Sequence, residues 1–205
     1  MESRRTDRWH RYWDKKSRSY DREMASGTGT SSVTPGLGLR PGPRRCARSC
    51  VGTGLNLPFY PDTVRLTGVD LSAQMLAIAR KRAEEVRPDT TLQEGDAHAL
   101  SFPDSTFDTV VCTFGLCAIP DSDKAIAEMR RVLRPGGQLI LVDHVASSSR
   151  PARWVQRVLE TVTVPLAGEH FLRRPIDTVR ATGFEIEQTQ RFRLGLVERV
   201  VAGKR

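Results

Sequence analysis

Apolar positions along this chain change period several times, and each change marks an element. Val64-Arg65-Leu66-Thr67-Gly68-Val69-Asp70 reads as a strand that ends on a carboxylate. Met75, Leu76, Ala79, Ala83 and Val86 then recur on one helical face, with Ser72 placed to cap the helix and Pro88 to stop it. Thr90 to Glu94 is a short strand, followed by Gly95-Asp96-Ala97. Phe107 to Phe114 is a near-continuous apolar run, as expected for a strand covered on both faces. Ser122 or Asp123 caps a second helix whose Ile126, Met129 and Leu133 share a face, and Pro135-Gly136-Gly137 breaks it. Gln138 to Val142 is the next strand, ending at Asp143-His144. Residues 152 to 163 carry Trp154, Val155, Val158, Leu159 and Val162 at helical spacing. Phe184 and Ile186, then Leu194 to Val201, predict two last strands joined by a turn. Strands alternating with helices give an α/β fold: a doubly wound, mostly parallel sheet with a C-terminal antiparallel hairpin.

The first quarter of the chain breaks this rhythm. Residues 1 to 24 form an N-terminal segment in which Trp9, Trp13 and Tyr20 fall about one and two helical turns apart, which predicts an amphipathic helix. Such a helix could cover a ligand pocket or lie on the surface, and the pattern does not choose. In residues 25 to 50, Gly, Pro, Ser, Thr and Arg supply 19 of 26 positions and no period survives, so loop or disorder is the physical reading. The expected division is therefore 1–24, 25–50 and a body at 51–205.

Length and charge narrow the classes. A chain of 205 residues supports one domain with a sizeable core. Of the net charge of +8, residues 1–50 carry +7, so the body is nearly neutral. A basic arm can meet phosphate or an anionic membrane surface, and peripheral membrane contact through this N-terminal segment is one expectation. The body lacks a basic patch and shows no base-flipping motif, so no nucleic-acid partner is expected. Cys46, Cys50, Cys112 and Cys117 have no zinc-type spacing, and no metal site or disulfide framework is expected. With no signal peptide and no run near the length of a membrane span, the expected setting is cytoplasmic.

Candidate chemistry collects where strands end. In a doubly wound sheet, ligands bind outside the carboxyl ends of the strands. Those ends carry Gly52 and Gly54, then Asp70, Asp96, Cys112 to Phe114, and Asp143 with His144. Glycines remove side chains where backbone must approach a ligand. Asp70 follows Gly52 by 18 positions, close to the spacing at which a carboxylate accepts from ribose hydroxyls. A dinucleotide fingerprint would place a third glycine at position 57, where this chain has Leu57, and no Gly-Lys-Ser/Thr follows for a P-loop. A nucleoside site without pyrophosphate binding is the reading left.

Val51 to Pro61, Gly68-Val69-Asp70-Leu71-Ser72, Gly95-Asp96-Ala97, Phe102-Pro103-Asp104 with Phe107-Asp108, and Leu133-Arg134-Pro135-Gly136-Gly137 together resemble the class I S-adenosylmethionine-dependent methyltransferases. The resemblance is to the Rossmann-like small-molecule branch that holds quinone-biosynthesis C-methyltransferases and related lipid and thiol methyltransferases. It covers residues 51 to about 144 and continues more weakly to the C-terminus. It implies S-adenosylmethionine as cofactor and a small-molecule methyl acceptor of quinol, phenol, lipid or thiol class. It further implies that Gly52, Thr53 and Gly54 lie against the cofactor's amino-acid and ribose end, that Asp70 with Leu71 binds the ribose, and that Asp96 with Ala97 meets the adenine. Met75 would pack near the adenine or serve simply as core, and Cys112 with Thr113 would line the methyl-donor end. His144 is the candidate general base, with Asp143 behind it, and His170, Phe171 and Trp154 are candidates for the acceptor pocket.

One stretch departs from the family. Ahead of the glycines the resemblance calls for an aliphatic strand ending in an acidic residue and a glycine, yet the chain reads Arg44-Arg45-Cys46-Ala47-Arg48-Ser49-Cys50. Arg48 stands at the acidic position and Cys50 at the first glycine. The first strand is therefore atypical, and three arginines cannot all be buried there without large desolvation costs. The expectation is that residues 25 to about 50 are not the ancestral segment, through a shifted reading frame or an altered gene start. Two rival functions follow: a catalytically impaired or non-enzymatic relative, and a nucleic-acid methyltransferase using the basic arm.

Overall fold

The computed structural model describes residues 2–26, 39–42 and 44–205, so most of the Gly/Pro/Ser-rich stretch expected to be loop lies outside the described residues. Helix α1 spans Glu2–Ser26. The sheet strands are β1 (Arg44–Ser49), β2 (Val64–Asp70), β3 (Thr91–Glu94), β4 (Phe107–Thr113), β5 (Leu133–His144), β6 (Phe184–Phe192) and β7 (Val197–Lys204). Helices α2 (Ala73–Val86), α3 (Ser122–Val132), α4 (Arg150–Ala167) and α5 (Pro175–Ala181) connect them. The order is β3-β2-β1-β4-β5-β7-β6. β7 inserts antiparallel between β5 and β6, which is the expected C-terminal hairpin joined to a parallel sheet.

The central strands alternate sides with a period of two. Val110 and Cys112 of β4, with Leu139 and Leu141 of β5, face one cluster that contains Ile126 and Met129 of α3. Val111 and Ile140 face the other, with Leu57, Leu66 and Leu76. Each layer of helices thus has its own core, and the polar strand ends are left at one edge. Ser72 caps α2 as its position implies, its Oγ accepting from Met75 N at 3.1 Å.

Two boundaries differ from the sequence reading. Leu133, expected on the face of α3, is the first residue of β5 and pairs with Phe107, and the register then shifts before Gln138 pairs with Thr109. An apolar residue at a helix end cannot be told by periodicity from one that starts a strand. The second correction concerns the division at residue 50. Arg44–Ser49 forms β1, hydrogen-bonded in parallel to β2 on one side and β4 on the other, so it is the third strand of the sheet and belongs to the body. The desolvation argument still holds residue by residue: Arg45 is exposed, Arg44 half-buried, and only Arg48 is buried, at 3%.

Candidate cofactor site

Two glycine-loop residues with positive φ follow β1. Gly52 has φ +59° and a Cβ placed on it would meet nothing within 4 Å, so the space before it is open. Gly54 has φ +78°, but its Cβ would stand 2.9 Å from Leu57 Cδ1 and 3.3 Å from Ala79. Gly52 therefore faces a cavity, whereas Gly54 lets the loop pack on α2. Cys50 also adopts a left-handed φ of 55°, a conformation that costs an L-residue about 1–2 kcal/mol.

Asp70, at the end of β2, closes the loop from below. Its Oδ2 accepts from Gly52 N at 2.7 Å and its Oδ1 from Ser72 N at 3.0 Å. Each oxygen keeps a lone pair for a further donor. Burial pushes the Asp70 carboxyl upward in pKa, against the two amide hydrogen bonds and the Arg48 charge that pull it down. Asp96, after β3, is more open. Its Oδ1 accepts from His98 N at 2.8 Å and lies 2.7 Å from His98 Nδ1. His98 Nε2 accepts from Asp121 N at 3.2 Å, which places the ring proton on Nδ1, toward Asp96.

Arg48 lies in the opposite wall. One guanidinium nitrogen donates to Thr113 Oγ1 at 2.7 Å and another reaches Tyr60 Oη at 3.5 Å, while Nε has no hydrogen-bond partner among the described residues. Asn56 Nδ2 donates to the same Thr113 oxygen at 2.9 Å. Among the described residues no carboxylate lies within ion-pair distance of Arg48, an expensive state for a buried charge.

Helix α1 roofs the space between these walls. Trp9, Trp13 and Tyr20 all line the cavity, so the amphipathic helix does cover it. Its attachment is polar: Asp14 Oδ1 accepts from Ser72 Oγ at 2.5 Å, and Asp21 accepts from Thr53 Oγ1 and from Arg82, each at 2.5 Å. Trp9 is 4% exposed and packs against Gly168, where a Cβ would come within 2.7 Å of its ring.

This arrangement fits an adenosine-like ligand at one end. Asp70 and Asp96 offer carboxylate acceptors at the cavity edge, and Val69, Leu71, Met75, Ala97 and Ile119 supply apolar surface beside them. At the other end Arg48, Ser49, Asn56 and Thr113 are polar.

Residues 49–141 match the methyltransferase domain family. Chains similar to this one include a phosphatidylethanolamine N-methyltransferase of Cereibacter sphaeroides, 44% identical over 111 residues, covering 53% of this chain and 55% of the relative. A demethylmenaquinone methyltransferase of Thermus thermophilus is 36% identical over 135 residues, 64% of this chain and 61% of the relative. The match thus spans little more than half the length of these relatives. In fold, the chain resembles a SAM-dependent methyltransferase of Thermotoga maritima described as a possible histamine N-methyltransferase, with a TM-score of 0.73 at 23% identity, covering 94% of this chain and 98% of that one. A SAM-dependent methyltransferase of Mesorhizobium loti gives a TM-score of 0.67 at 18% identity over 84% and 96% of the two chains. The strand order resembles the fold of these solved structures, and the stretch from residue 49 to 141 is similar to a methyltransferase domain.

Within the matched residues 49–141, Gly52, Thr53, Asp70, Leu71, Met75, Asp96, Ala97 and Thr113 come together on the cavity. Cys112 does not: it is fully buried in the core between β1 and β5. The four proposed catalytic and acceptor residues lie off the cavity too. His144 packs against Phe114 and Phe171, with ring centroids 5.0 and 5.7 Å away, and burial holds its pKa below the usual histidine value. Asp143 does not back the imidazole, because its carboxylate accepts from Gly115 N, Leu116 N and His144 N at 3.0, 2.7 and 2.8 Å. His170 donates its backbone N–H to Cys117 O at 2.7 Å, and Trp154 is 66% exposed on α4. Sequence reasoning missed Asn56, His98 and Ile119 as cavity residues, because loops bring them there without any periodic signal.

Proposed function

We propose that the chain binds S-adenosylmethionine in this cavity and methylates a small acceptor of the quinol, phenol, lipid or thiol class. The observation that carries the reading is the Asp70 carboxylate, fixed by two backbone amides beside the open space at Gly52. Asp70 would accept from the ribose hydroxyls and Asp96 from the adenine amino group, with Leu71, Met75, Ala97 and Ile119 packed on the base. Bound there, the cofactor supplies an electrophilic methyl group on a sulfonium, and the protein's part is alignment and exclusion of water. The roof formed by Trp13 and Tyr20 serves that exclusion. The similarity to lipid and quinone methyltransferases supports an apolar acceptor. His144, kept neutral by burial but screened by Phe114, would reach an acceptor only if that aromatic moved.

A second reading, an impaired relative, is favoured by one observation: the buried Arg48 charge on the wall opposite Asp70. A cation there opposes a sulfonium and an ammonium alike and weakens binding of the donor. Calorimetric titration with S-adenosylmethionine, followed by transfer of a labelled methyl group to a panel of quinols, phenols, thiols and lipids, separates the two readings. Sequencing the gene and translating the neighbouring frame over residues 25–50 tests the origin of Arg48. An aliphatic strand ending in an acidic residue in that frame supports a shift, and its absence rejects one.

A further inference from the structure

Helix α4 is amphipathic in the opposite sense to a helix that packs on a core. Its polar residues hold it to the protein: Gln156 Oε1 accepts from Ser147 N at 2.8 Å, and Nε2 donates to Val145 O at 2.8 Å and Phe171 O at 3.1 Å. Glu160 accepts from Leu172 N at 2.7 Å, and Thr163 Oγ1 donates to Glu169 O at 3.0 Å. These bonds fix the rotation of the helix. Trp154, Val155, Val158, Leu159, Val162 and Leu166 are consequently left outside, 48% to 66% exposed. Their spacing of one and four residues makes a single stripe. Elsewhere among the described residues only Phe59, Val86 and Leu194 are large, apolar and exposed.

The flank of this stripe is basic. Arg150, Arg153 and Arg157 are exposed on α4, and the helix's one acid, Glu160, is half-buried and held by Leu172. Beside the N-terminus of α4, Arg153, Arg174, Arg180 and Arg191 line a shallow groove in which Glu198 is the one lining acid. An apolar stripe with an arginine rim and no exposed acid on the helix matches a surface of acyl chains topped by phosphates. A second copy of this chain would offer α4 no carboxylate for these arginines if it presented the same face.

We propose that α4 docks the protein on an anionic phospholipid bilayer, with the stripe from Trp154 to Leu166 among the upper acyl carbons and the arginine rim on lipid phosphates. The helix is about 27 Å long and lies in the interface; among the described residues no helix is long and apolar enough to cross a membrane. Docking places the bilayer beside the cavity roof, because α1 packs on α4 and Trp9 abuts the Gly168 cap of α4. The surface is independent of the methyl acceptor: it holds whether or not the acceptor is a lipid. It is also distinct from α1, whose Trp9 is turned inward.

The test is co-sedimentation of the full chain with vesicles of phosphatidylcholine alone and of phosphatidylcholine mixed with phosphatidylglycerol. Binding to the mixed vesicles is expected to be at least about tenfold tighter and to weaken with salt. The double variant Val158→Ser, Val162→Ser is expected to lose about tenfold or more of that affinity while keeping its far-ultraviolet circular dichroism. Arg150→Gln with Arg157→Gln is expected to lose the preference for anionic vesicles and retain the residual apolar binding. The proposal is overturned if wild type stays in the supernatant with mixed vesicles, or if the valine variant binds as wild type does. A concentration-dependent dimer that the valine variant abolishes, in a chain that ignores vesicles, would assign the face to a second copy instead.

Discussion

The two long walls of the cavity are joined by the β1–β2 ladder, which continues through Val51 N to Val69 O at 3.0 Å and Gly52 N to Asp70 Oδ2 at 2.7 Å, yet they differ in their chemistry. On the β2 wall a carboxylate is held by two amides and still has lone pairs toward the cavity. On the β1 wall a guanidinium is buried against a threonine and a tyrosine, and the turn after it strains a cysteine into a left-handed conformation. Under the proposed function the β2 wall would receive a ligand's neutral hydroxyls, and the β1 wall would place positive charge near the donor's own, so the same cavity would hold one favourable and one opposing end.

If the β2 wall carries binding, Asp70→Ala removes the largest single contribution. Hydrogen bonds to a charged group contribute about 1.5–3 kcal/mol, so affinity for S-adenosylmethionine should fall about 10- to 100-fold by calorimetry. The β1 wall makes the opposite forecast. Arg48→Met, of similar volume and no charge, should tighten binding about tenfold and raise unfolding stability by about 1 kcal/mol or more, since an unpaired buried charge is removed. Weakened binding in that variant would mean that Arg48 holds the donor's carboxylate.

A smaller effect concerns the turn. Cys50→Gly relieves the positive φ and should add about 1 kcal/mol to stability in denaturant, whereas loss of stability would show that the Cys50 side chain, packed on Gly115 and Cys112, matters more than the strain. The smallest test is titration. Asp70 must be ionised to accept from two hydroxyls most strongly, and burial raises its pKa above 3.8. Cofactor affinity should therefore fall as pH is lowered, with a midpoint above 3.8. In Arg48→Met the midpoint should move higher still, because the Arg48 charge now pulls it down.

The β2 wall was legible in the residues and the β1 wall was not, for physical reasons. Val64–Asp70 carries its own apolar positions and a terminal carboxylate, and the strand forms over those same residues. Arg44–Ser49 has no apolar run; the ladders of β2 and β4 on either side supply what its own sequence lacks. Arg48 and Cys50 were nonetheless visible as misfits, and they are the buried cation and the strained turn. Helix α5 escaped notice because its seven residues hold too few apolar positions to show a period. His144 was placed correctly at a strand end, but nothing in the sequence indicates that Phe114, at φ 53°, would stand beside it. The stripe on α4 was read as a helix face, and its outward direction follows from Gln156 and Glu160, whose partners lie 9 to 15 residues away.

The most direct measurement is calorimetric titration of S-adenosylmethionine into wild type, Asp70→Ala and Arg48→Met side by side. The expected order of affinity is Arg48→Met, then wild type, then Asp70→Ala. No heat of binding for either wild type or Arg48→Met, with all three proteins folded, would contradict the assignment of this cavity to the methyl donor.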